Sequence, residues 1–107
     1  MGYQLHITRA DDWIDSENHP IPRAEWHTFA DSRPDLRREG TVTWGDIGEE
    51  PIFEHTCTNG SEVSLWWREG EVKIAGAYDR EAIDTLYPMA RELGANLIGD
   101  DGEHYPE

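Results

Sequence analysis

Two tight-turn signals close together in the middle of the chain constrain its fold more than any other feature. Asn59-Gly60 is the strongest short-range hairpin signal, because a type I′ turn needs positive φ at both central residues. Glu69-Gly70 offers a second turn, between Glu62–Arg68 and Glu71–Ala77. Together they predict a three-stranded antiparallel meander over about Ile52 to Ala77, with a further strand near Thr41 to Trp44. A two-residue turn sets the register, and opposed residues share a face. With Asn59-Gly60 as the loop, Ile52 faces Trp67, Phe53 faces Trp66, Glu54 faces Leu65, His55 faces Ser64 and Thr56 faces Val63. With Glu69-Gly70 as the loop, Trp67 faces Val72, Trp66 faces Lys73, Leu65 faces Ile74 and Ser64 faces Ala75. One face then carries Ile52, Val63, Leu65, Trp67, Val72 and Ile74, which reads as core. The other carries a cross-strand row Phe53–Trp66–Lys73, with His55, Cys57, Ser64, Arg68 and Ala75 beside it.

The flanking segments supply two helices and two more strands. Tyr3, Leu5 and Ile7 alternate with Gln4, His6 and Thr8, the period of a half-buried strand. An acidic loop follows and ends at His19-Pro20-Ile21-Pro22. Pro22 suits the first position of a helix, on which Trp26, Phe29 and Ala30 share a face, and which should stop before Pro34. Asp79 is a fitting N-cap for a last helix with the stripe Ile83, Leu86, Tyr87, Ala90 and Leu93, and Gly94 fits the left-handed position after it. Pro88 should kink or split that helix. A short strand, Ala95 to Ile98, precedes the turn Gly99-Asp100-Asp101-Gly102. The order β-α-β-β-β-β-α-β predicts an α+β domain, with two helices packed on a largely antiparallel sheet and residues 1–107 forming one unit.

Composition narrows what such a domain does. Twenty-three acidic against nine basic residues give a formal charge of −14, which argues against nucleic acid and against an anionic membrane surface. Five Trp, four Tyr and two Phe are more aromatic residues than a disordered chain carries. No apolar run has transmembrane length, and the first residues do not form a secretory signal. A single Cys57 forbids an internal disulfide and suits a reducing compartment, so a cytoplasmic location is expected.

Catalytic and metal motifs are sparse. His55 and Cys57 face the same way on one strand, but i and i+2 side chains stand roughly 6.5–7 Å apart at their bases, loose for a nucleophile pair. An inert strand cysteine is the default, and no catalytic residue is assigned. The five histidines show no zinc-ligand spacing, and no P-loop, G-x-S-x-G or G-x-G-x-x-G occurs. Two acidic loops, Asp11, Asp12, Asp15 and Glu17, and Asp100, Asp101 and Glu103, carry the alternative of a divalent-cation domain or metal-dependent enzyme, although neither has EF-hand spacing. No cofactor is expected.

Two stretches, Tyr3-Gln4-Leu5-His6-Ile7-Thr8-Arg9 and Leu93-Gly94-Ala95-Asn96-Leu97-Ile98-Gly99-Asp100-Asp101-Gly102-Glu103-His104-Tyr105, resemble a widespread family of small uncharacterised bacterial proteins. The Trp26 helix and the Trp66–Val72 hairpin lie where that family has similar features, while Pro88 departs from its smoother last helix. The family lends no activity or catalytic residues. Its size and acidity are similar to those of immunity proteins that neutralise bacterial toxins, by analogy only.

The expected function is therefore a non-enzymatic, immunity-like binding protein for a basic protein partner. Phe53 and Trp66 are the expected anchors, with Lys73 and His55 beside them and Glu49, Glu50, Glu54, Asp100, Asp101 and Glu103 as a charged rim. Two alternatives stand against an exposed aromatic row. The helix carrying Trp26 and Phe29 can cover it as a second small core, or two copies can meet through it as a homodimer rather than a monomer.

Overall fold

The alternating segment at the start of the chain lies deep within the sheet. In the computed structural model, which describes residues 4–46, 48–58, 60–76 and 80–105, β1 (Leu5–Thr8) is buried on both faces. A 3₁₀ helix (Trp13–Asn18) and α1 (Arg23–Asp31) follow, then β2 (Arg37–Trp44), β3 (Gly48–Thr56), β4 (Glu62–Arg68) and β5 (Glu71–Ala75). The chain ends with α2 (Arg80–Glu92), β6 (Asn96–Gly99) and β7 (His104–Tyr105). The seven strands form one sheet in the order β2-β3-β4-β5-β1-β6-β7, antiparallel at every pairing, so the domain is α+β. Because β5 and β6 both run antiparallel to β1, they are parallel to each other, and α2 bridges them across β1.

Local sequence explains most boundaries. Pro22 stands at the N-cap of α1, one place before the expected first helical position, and α1 ends at Asp31, ahead of Pro34. At the end of α2 the Gly94 N–H donates to the Arg91 carbonyl and the Ala95 N–H to the Ala90 carbonyl, with Gly94 at φ 65°. This pair of bonds is the Schellman arrangement. Pro88 neither splits nor ends α2. The helix continues through it, with Pro88 exposed on the side away from Ala82, Leu86, Met89 and Ala90. The Asp79 cap, the Tyr3 strand start and the Ala77 meander end lie outside the described residues.

The second hairpin has the predicted register. Trp67 faces Val72, Trp66 faces Lys73, Leu65 faces Ile74 and Ser64 faces Ala75, with Glu69 at φ 53° and Gly70 at φ 87° in the turn. The first hairpin is slipped by one residue. Phe53 faces Leu65, Glu54 faces Ser64, His55 faces Val63 and Thr56 faces Glu62. The cause is loop length. The Cys57 N–H donates to the Ser61 carbonyl, the Gly60 N–H donates to the Cys57 carbonyl, and Gly60 sits at φ 91°. The loop thus has three residues, 58–60, with a turn followed by a left-handed glycine, and Asn59 itself lies outside the described residues. A one-residue slip moves the whole of β3 to the opposite face.

The core therefore differs from expectation at β3. Phe53, 1% exposed, replaces half-buried Ile52 on the core face, beside Leu65 and Val63. Its ring meets Trp26 of α1 edge-on at 5.7 Å, and Trp26 is fully buried. Leu5, Ile7, Val72, Ile74 and Leu97 continue this core beneath α1 and α2.

β2 starts earlier than predicted because Arg37-Arg38-Glu39-Gly40 carries no apolar alternation. It is a charged, mostly exposed edge strand whose pairing shifts between Arg38 and Thr41.

Candidate functional site

The sheet face away from the two helices carries the site, and β1 supplies its centre. Leu5 and Ile7 point to the core, so His6 and Thr8 must point to the other face. Both are buried there by the 3₁₀ helix. The Thr8 and Ser16 hydroxyls lie 2.7 Å apart. Ser16 donates to the Trp13 carbonyl at 2.6 Å, so the Thr8 hydroxyl donates to Ser16 while accepting from the Ala10 N–H. Gly70 allows the 3₁₀ segment to press against the β4–β5 turn: a side chain there would stand 2.8 Å from the Ser16 carbonyl, and the Ile21 N–H donates to the Gly70 carbonyl.

His6 is held between two carboxylates. Its Nδ1 contacts Glu71 of β5, its Nε2 lies 2.7 Å from Asp100, and its ring stacks on Trp13 at 4.3 Å, nearly parallel. An ionised carboxylate only accepts, and a neutral imidazole has one N–H. Both contacts are hydrogen bonds only when the ring is an imidazolium or one carboxyl keeps its proton. Burial opposes ionisation of Asp100, but the Gln4 N–H at 2.8 Å, then His6 and Lys73, outweigh it and hold this carboxyl below its ordinary value. The Lys73 ammonium sits 3.6 Å from Glu71 and 5.4 Å from the centre of the Trp13 ring.

The same contacts join the two acidic loops. The Trp13 indole N–H donates to the Asp100 carbonyl at 3.1 Å, and His104 Nε2 reaches the Asp11 carbonyl at 2.8 Å. The first acidic loop is thereby tied to the second at Asp11 and Trp13, while Glu17 lies by the β4–β5 turn, at the other end of β1 from Asp100. Between the 3₁₀ helix and β4–β5 lies an open pocket of about 230 Å³, lined by Trp13, Ile14, Ser16, Glu17, Glu69, Glu71 and Lys73. Ile14 at its lip is 75% exposed, the large hydrophobic side chain that stands out to solvent among the described residues. No group of three or more His, Cys, Asp or Glu side chains able to hold a metal ion occurs among the described residues, so the loops meet without forming a ligand cage.

The predicted anchor row is not assembled. Phe53 is sealed under α1, and His55 shares its face, with Nδ1 3.0 Å from the Asp35 carbonyl. Trp66 and Lys73 remain cross-strand neighbours on the other face, both half-buried, but without Phe53. A homodimer through a Phe53–Trp66 row loses its basis for the same reason. Of the predicted rim, Glu50 is fully buried and clamped by Arg23 Nε and His27 Nε2, each at 2.7 Å. Glu54 is half-buried beside Arg37, and Asp100 is committed to His6 and Gln4. Glu49 and Asp101 are exposed, and Glu103 is half-buried with the Tyr105 hydroxyl 3.0 Å from its carboxylate. Cys57 is buried, one residue past the end of β3. His6 and Trp13 escaped the sequence reading, because nothing local signals that the first strand inserts between β5 and β6.

The chain matches no family model, no curated protein and no solved structure. No helix among the described residues is long and apolar enough to cross a membrane.

Proposed function

We propose that this chain is a non-enzymatic acidic binding protein, an immunity-like inhibitor of a basic protein partner such as a bacterial toxin, and that it docks through the surface where the two acidic loops meet. The joining of loops 11–17 and 100–103 through Trp13 and His104 carries this reading. The formal charge of −14 is also unevenly available. Among the described residues, the basic side chains Arg9, Arg23, Arg33, Arg37, Arg38, Arg68, Lys73 and Arg80 lie within ion-pair distance of carboxylates of this same chain. Surplus negative charge is left for solvent and partners. Such a surface accelerates encounter with a basic partner, and salt weakens it as the screening length falls to about 8 Å at physiological ionic strength.

The test is capture from the native host on the immobilised protein across a salt series. A basic protein released by raised salt, and captured less by the triple variant Asp11→Asn, Asp12→Asn and Asp101→Asn, is the expected result. Capture indifferent to salt and to the triple variant contradicts the acidic-surface assignment. Trp66→Ala should leave capture unchanged.

A further inference from the structure

We propose that the pocket between the 3₁₀ helix and the β4–β5 turn seats an arginine side chain of that basic partner, an inference that rests on the acidic-surface reading and names its anchor. At about 230 Å³ the pocket is smaller than the roughly 300–1,000 Å³ typical of small-ligand sites, and its scale suits one side chain. Its wall is the Trp13 indole, whose plane is fixed by the stack on His6 and the bond to the Asp100 carbonyl. An indole face attracts cations, and this chain already uses that attraction twice. Lys73 lies 5.4 Å from the Trp13 ring centre, and the Arg68 guanidinium lies 4.3 Å from that of Trp44.

Three lining carboxylates face one lining ammonium. Glu71 is committed to His6 and Lys73, whereas the exposed Glu17 and Glu69 stand where a guest enters, with Arg68 3.7 Å from Glu69 as an internal competitor. Exposed Ile14 at the lip offers apolar contact for the stem of a long side chain. Arginine fits better than lysine because its planar guanidinium can stack on an indole while its fork donates to carboxylates.

The test titrates Nα-acetyl-arginine amide into the ¹⁵N-labelled full chain and follows the tryptophan indole N–H signals. A saturable shift of the Trp13 signal is expected, with none from the uncharged isostere Nα-acetyl-citrulline amide. The double variant Glu17→Gln, Glu69→Gln should bind about tenfold more weakly, equivalent to ~1.4 kcal/mol. Both substituted residues are exposed, so the fold should survive. An equal response to the citrulline compound, movement confined to other indoles, or unchanged affinity in the double variant overturns the proposal. A Trp13 response without salt-dependent capture supports the pocket and rejects the wider reading; capture without a Trp13 response does the reverse.

Discussion

Truncating Phe53 tests the register of the first hairpin, on which the distribution of faces depends. Phe53 is 1% exposed, pairs with Leu65 and meets Trp26 edge-on, whereas Ile52 beside it is only half-buried. Phe→Ala in a close-packed core costs about 3–5 kcal/mol, combining lost transfer energy with the cavity left behind. Ile52→Ala, on a half-exposed face, should cost about 1 kcal/mol. At a urea m-value of about 1.5 kcal/mol/M for a chain of this size, Phe53→Ala lowers the midpoint by about 2–3 M and Ile52→Ala by less than about 1 M. If Phe53→Ala leaves too little folded protein to measure, Phe53→Leu keeps most of the volume and should cost about 1 kcal/mol. The assay is equilibrium urea unfolding followed by tryptophan fluorescence and far-UV circular dichroism. A two-residue loop with Ile52 inward gives the opposite ranking. An Ile52→Ala cost exceeding that of Phe53→Ala would refute the three-residue loop and the core built on it.

Two further outcomes concern the histidine network. His6→Ala should destabilise by about 2–3 kcal/mol, because it leaves the buried Glu71 carboxyl without its ring partner, and Glu71→Gln in the same chain should recover part of the loss. A double-mutant cycle by thermal unfolding with no coupling between the two would show that they act independently. The Asp100 carboxyl, held below its ordinary value by the Gln4 N–H, His6 and Lys73, contributes stability that is present above the unfolded value of about 3.9 and is lost as pH falls through the lower folded value. The stability gap between the parent chain and Asp100→Asn should therefore be constant near neutral pH and shrink below about pH 4. A gap that widens on acidification would reverse the assigned direction.

Much of the architecture is legible locally. The strand at β1, the stripe of α2, the Gly94 stop and the Glu69-Gly70 turn depend on residues near in sequence, and the structure reproduces them, although β1 is buried on both faces rather than one. Failures came where one local signal allowed two outcomes. A glycine at positive φ serves a two-residue or a three-residue loop, and that choice decides whether Phe53 or Ile52 enters the core. Pro88 removes one hydrogen bond, yet α2 continues because its other side is anchored by Leu86, Met89 and Ala90 in the core.

The chain's own order of residues settled its charge surplus, its antiparallel hairpins and its two amphipathic helices, since each follows from composition or short-range periodicity. Strand order was decided only by packing. Placing the first strand between β5 and β6 buried His6 between Glu71 and Asp100 and drew two acidic loops together. These contacts join residues up to 94 positions apart, and their closure becomes favourable only once a shared core buries enough apolar surface to offset the chain entropy lost.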